Sequence, residues 1–172
     1  MDFPPRTLSE LKYQLLLNRG SQMGEDDTLA VEVYLSFLRV ARDLLAALQA
    51  NLERYELSDG KLSILLLLRA SPDYSLTPSE LAERVGVSRG TITGLLDGLE
   101  RSKLIKRDAH PEDRRMLTIN LTTKGLDLLN QVLPEHFRRI KELMANFNKA
   151  DFQQLLVLLE KFNQGIPAFR DA

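Results

Sequence analysis

Apolar side chains recur along this chain mostly at the spacing of helices. From Asp27 to about Arg54 they fall at Ala30, Val33, Phe37, Val40, Leu44 and Leu48 with no glycine or proline between, which predicts a long amphipathic helix. Ahead of it, residues 1–26 read as an irregular arm, because Pro4, Pro5, Gly20 and Gly24 bracket "LKYQLLLN" and leave room for a helical turn or two. Ser58 caps the next predicted helix, in which "LSILLLL" is apolar on every side and therefore calls for burial all round.

The pattern then shortens. Thr77-Pro78-Ser79-Glu80 is a capping box with proline at the first helical position, and it opens a short helix ending at Val85. Gly86 turns the chain, and Ser88 caps a second helix whose Ile92, Leu95, Leu96 and Leu99 form one apolar stripe. "LIKRDA" and "RMLTINLT" alternate and are rich in β-formers, with "HPED" between them, so they predict two antiparallel strands joined by a proline turn.

Thr122 or Thr123 caps a long helix with Leu126, Leu129, Leu133, Phe137, Ile140, Leu143 and Phe147 on one side, and Pro134 inside it predicts a kink. Asn148 caps a last helix, Asp151 to about Asn163. Phe152, Leu155, Leu156, Leu159 and Phe162 make one face of it, while Val157 and Leu158 lie on another. An apolar surface wider than one stripe points to burial against a partner subunit.

Composition narrows the chemistry. The 172 residues are 44% hydrophobic and 27% charged, the balance of an ordinary globular domain. No apolar run approaches the roughly 18 residues that span a bilayer, and "MDFPPRTLSE" lacks the features of a signal peptide, so no membrane is expected and the expected location is the cytoplasm. Cysteine is absent, which excludes disulfides, thiol nucleophiles and thiolate metal sites. His110 and His136 are the only histidines, too few for a closed metal site. With no P-loop, no Gly-Xaa-Ser-Xaa-Gly elbow and no partner for either histidine, neither catalysis nor a cofactor is expected.

Charge is uneven. The chain carries a net −1, yet between Arg84 and Arg115 eight cations stand against five acids. Such a surface suits a polyanion, because each lysine or arginine laid on phosphate releases counterions. Two helices joined by a glycine turn, with Ala82, Gly86 and Ile92 at the packing positions and a basic hairpin behind them, predict a winged helix-turn-helix that binds double-stranded DNA. The side of the second helix opposite its apolar stripe carries Gly90, Gly94, Asp97 and Arg101, flanked by Thr93. Ser88, Arg89, Gly90, Thr91 and Thr93 are therefore the candidate base readers, Arg89 by a bidentate reach to guanine and Thr93 by a polar contact or a thymine methyl. Ser88 doubles as the helix cap, and Thr91 can support it.

Gly90, Gly94 and Gly98 each cost about 1 kcal/mol in a helix, which calls either for close approach of DNA or, better suited to Gly98, for close packing. In the wing, Arg114 and Arg115 suit a narrow minor groove, with Asp113 as the clamp that poses an arginine; Arg107 adds a further cation to the same surface.

With those residues in view, the chain resembles the MarR family of dimeric winged-helix regulators. The resemblance covers about Thr28 to Phe162 and rests on "LTPSELAERVGVSRGTIT", "LLDGLERSKLIKR", Asp113-Arg114-Arg115 and "LTTKG". It implies a mainly α fold with a small β wing: an arm at 1–26, a DNA-binding winged helix-turn-helix at 57–122, and dimerisation helices at 27–56 and 123–172. It also implies a homodimer on a palindromic operator, a small aromatic effector, and a pairing of Asp113 with Arg115 at the wing. Lys103 departs from the family, which has a left-handed glycine there; it either tolerates that geometry or ends the helix differently. Tyr34, Phe37, Arg39 and Tyr55 could line an effector pocket, but core packing accounts for the aromatics as well, and no effector residues are assigned. The rival reading is a winged helix that binds protein, for which the cluster of Arg89, Lys106, Arg107, Arg114 and Arg115 has no use.

Overall fold

The computed structural model describes residues 15, 16, 18, 19, 24–109 and 117–169. The tip of the expected hairpin, 110–116, and most of the N-terminal arm lie outside them, although residues 15, 16, 18 and 19 are helical.

Helix α1 runs Glu25–Glu53, starting two residues earlier than the apolar pattern indicates. Glu25, Asp26 and Asp27 crowd its first turn, where carboxylates complement the positive end of the helix dipole. Helix α2, Asp59–Ala70, is capped by Ser58, whose side chain accepts from the Lys61 N–H. Leu62, Ile64, Leu65 and Leu68 of α2 are buried, but burial all round is not achieved: Leu66 is 36% exposed and Leu67 only partly covered. The expectation failed because the run of leucines is longer than one layer of neighbours can enclose.

A single-turn 3-10 helix, Pro72–Tyr74, leads to β1, Ser75–Leu76. Helix α3 is Pro78–Val85 and α4 is Arg89–Arg101. Strand β2, Ile105–Ala109, pairs antiparallel with β3, Leu117–Leu121, with Ile105 opposite Leu121 and Arg107 opposite Ile119. The sheet has three strands rather than the two expected, in the order β1-β3-β2, because Ser75 and Leu76 pair with Asn120 and Ile119. A two-residue strand has too little alternation to be read from sequence.

Helix α5, Thr123–Leu143, has Thr122 as its cap and runs unbroken through Pro134. Helix α6, Lys149–Gly165, opens with a capping box in which the Asn148 side chain accepts from the Ala150 and Asp151 N–H groups and Asp151 accepts from the Asn148 N–H. A short 3-10 turn, Ile166–Phe169, follows.

One core holds these elements together, and its buried residues all fall between Leu52 and Val132. Helix α6 contributes none to it, and α1 contributes chiefly its last turn. The apolar faces of α1 and α6 instead form an open groove lined by Leu29, Val33, Phe37 and Val40 against Leu155, Leu158, Leu159 and Phe162. Phe37 stacks on Phe162 at 4.8 Å and Tyr34 on Phe169 at 5.9 Å, so packing accounts for two of the aromatics weighed as effector contacts.

Candidate nucleic-acid interface

The turn between α3 and α4 is built by a capping box at one end and a glycine at the other. Thr77 Oγ1 accepts from the Glu80 N–H at 3.3 Å, and Glu80 Oε2 accepts from the Thr77 N–H at 2.8 Å. Gly86 takes φ 74°, a left-handed conformation that suits a residue without Cβ; its N–H donates to the Ala82 and Glu83 carbonyls, and the Val87 N–H donates to Ala82. Ala82 and Ile92 are buried across this turn, as the spacing predicts.

Burial of Ile92, Leu96 and Leu99 fixes which side of α4 faces out. Ser88, Arg89, Gly90, Thr91 and Thr93 all lie exposed around its first two turns. Ser88 Oγ accepts from the Thr91 N–H at 3.2 Å and lies 2.9 Å from Thr91 Oγ1. Those two hydroxyls therefore serve the cap. The Arg89 side chain has no ion-pair or hydrogen-bond partner among the described residues, nor has that of Arg101 at the far end. A Cβ built on Gly94 meets nothing within 4 Å, and one on Gly90 meets only Ser88 Oγ at 3.9 Å, so packing demands glycine at neither position. Gly98 differs, since its Cβ would come within 3.1 Å of the Lys61 side chain.

Arg107 stands apart from the other cations. From β2 its two terminal nitrogens reach Asp97 Oδ1 at 2.6 Å and Glu100 Oε2 at 3.1 Å, and its side chain is only 25% exposed. Exposed pairs of this kind contribute little stability, but a forked contact to two acids one turn apart ties β2 to α4 at a set angle. Sequence reading missed this contact. The spacing of Asp97 and Glu100 was its only sign, and nothing local says that a strand arginine will meet them. Beside it Lys106 pairs with Asp108 at 2.8 Å.

Lys103 settles its own question by adopting φ 60°. Its N–H donates to Glu100 and the Leu104 N–H donates to Leu99, the bonding that a glycine would make there. Asp113, Arg114 and Arg115 lie outside the described residues. Among the described residues no group of three His, Asp or Glu side chains could hold a metal ion, and no helix is long and apolar enough to cross a membrane.

This arrangement has close counterparts. The MarR family model matches residues 57–117, which run from the start of α2 through the helix-turn-helix into β3. The HTH-type transcriptional repressor YetL of Bacillus subtilis (strain 168) is 34% identical over 160 residues, covering 93% of this chain and 96% of that protein. Two solved structures share the fold: AbsC, a MarR family transcriptional regulator from Streptomyces coelicolor, with a TM-score of 0.71 at 22% identity over 85% of this chain and 97% of that one; and Sco3205, a MarR family transcriptional regulator from the same organism in complex with DNA, with a TM-score of 0.71 at 21% identity over 84% and 93%. A likeness to YetL that runs nearly end to end, with the family model seated on the helix-turn-helix itself, places the chain in the MarR family, whose members are transcription regulators and not enzymes.

Proposed function

We propose that the protein is a ligand-responsive transcriptional repressor that acts in the cytoplasm and binds a palindromic DNA operator as a homodimer. Residues 57–122 form its DNA-binding domain, and 27–56 with 123–172 its dimerisation helices. The observation that carries this reading is the exposed face of α4: an Arg89 guanidinium without a partner among the described residues, beside two glycines that no internal packing requires. A face of that shape admits DNA backbone and base edges closely, with one guanidinium free to take a guanine. In the wing, Arg114 and Arg115 would reach the flanking minor groove, with Asp113 as the clamp that poses an arginine. Arg107, placed in the sequence among the DNA contacts, acts from behind by holding β2 against α4.

The dimer is supported by the apolar surface of α1 and α6. Val40 and Leu45 are 61% and 62% exposed, and Leu156 and Val157 are 68% and 57% exposed, apolar area that a second copy would cover. YetL is named a repressor, and Sco3205 is seen with DNA, which favours the same role here. A small aromatic effector would release DNA only by preferring a different spacing of the two recognition helices, since equal affinity for both spacings shifts nothing.

Selection of bound duplexes from a random pool tests the whole reading. The expected product is an inverted repeat with half-site centres about one DNA turn apart, and its binding constant should fall steeply with salt. A monomeric protein, or inverted repeats held no better than scrambled duplexes, would overturn it.

A further inference from the structure

The exposed face of α4 offers fewer free polar heads than its sequence suggests. Thr93 Oγ1 donates its single proton to the Arg89 carbonyl at 2.8 Å, one turn back along the helix. One of the two hydroxyl protons of Ser88 and Thr91 is likewise held between those side chains at 2.9 Å. Asp97, one turn beyond Thr93, is gripped by Arg107 at 2.6 Å. On the strip running Arg89, Gly90, Thr93, Asp97, the guanidinium of Arg89 is thus the one side-chain donor left free among the described residues, and Thr93 carries its γ-methyl with no side chain at Gly90 or Gly94 to stand beside it.

We propose that Thr93 is a specificity-determining residue that reads a thymine through methyl-to-methyl contact in the major groove. The inference rests on the DNA-binding reading above and adds the base and the chemistry. Thymine alone presents a methyl group at the floor of that groove, and apolar contact with it discriminates against the other bases. Donating the Thr93 hydroxyl to a base would break its bond to Arg89, which leaves Oγ1 able only to accept, and a helix restricts the rotamers open to a β-branched side chain. The back-bonded rotamer therefore leaves the γ-methyl, rather than a hydroxyl donor, to meet the base, and Thr93→Val separates that contact from one in which Oγ1 accepts.

The experiment starts from the duplex recovered by selection. Each thymine of the half-site is replaced in turn by deoxyuridine, which removes the methyl and nothing else, and affinity is measured for the wild type, Thr93→Val and Thr93→Ser. One position per half-site should weaken wild-type binding about fourfold, and both half-sites together about fifteenfold, as expected for one buried methyl group each. Thr93→Val keeps the methyl and should retain both the affinity and the sensitivity to uracil. Thr93→Ser keeps the hydroxyl and should bind the thymine duplex more weakly, with no further loss on uracil at that position. A wild type indifferent to uracil everywhere, a half-site with no required thymine, or a Val variant that fails where Ser succeeds would overturn the inference while leaving the operator reading intact. Failure to prefer any duplex over scrambled DNA overturns both.

Discussion

Two glycines of this chain make opposite demands on a methyl group. At Gly94 a Cβ would enter open space, so alanine should gain the roughly 1 kcal/mol that glycine costs inside a helix and raise the melting temperature by about 2–4 °C. On the proposed reading operator affinity should fall at the same time, because the added methyl would occupy the face that meets DNA; a titration showing unchanged affinity would remove Gly94 from the proposed interface. At Gly125 a Cβ would lie 2.3 Å from the Leu104 carbonyl oxygen and 2.7 Å from Leu121 Cδ1. Alanine there must push the start of α5 off the sheet, at a cost of about 2 kcal/mol or more, and thermal denaturation should show a drop of roughly 4–8 °C. The sequence displays both glycines equally. What separates them is a carbonyl brought over from residue 104, and no local pattern encodes that contact.

At the scale of elements, the end of α4 stores strain that its hydrogen bonds hold in place. Lys103 sits at φ 60°, where an L-residue is disfavoured by about 1–2 kcal/mol. Thr122 Oγ1 donates toward the Lys103 carbonyl at 2.8 Å and the Thr122 N–H toward Leu104 at 3.1 Å, so the turn is also the joint where α4, β2 and α5 meet. Lys103→Gly should remove the strain and, after the added freedom of the unfolded chain is subtracted, stabilise the protein by about 0.5–1 kcal/mol in chemical denaturation. Destabilisation would mean that the lysine side chain holds the joint by contacts of its own. Elements of this kind were legible wherever capping and periodicity agree, as at Thr77, Ser88 and Asn148, whose caps form as their spacing predicts. They were illegible where pairing is distant. β1 exists only because β3 lies alongside it, and the contact of Arg107 with Asp97 and Glu100 depends on how a strand folds back over a helix.

At the scale of the molecule, the core and the apolar surface occupy different parts of the chain. The winged helix-turn-helix encloses most of its own leucines, whereas the first and last helices carry most of theirs outward. A charge placed at the middle of that outward face, as in Val157→Glu, should leave the winged helix folded but abolish self-association in sedimentation, and with it the preference for inverted repeats over single half-sites. A variant that sediments as a dimer would move the interface elsewhere. In the proposed homodimer α6, which has no buried residue within its own protomer, would be kept in place mostly by the second copy. Folding would then obey mass action: dilution alone should melt the protein at a lower temperature, and a cell holding few copies would keep fewer of them intact.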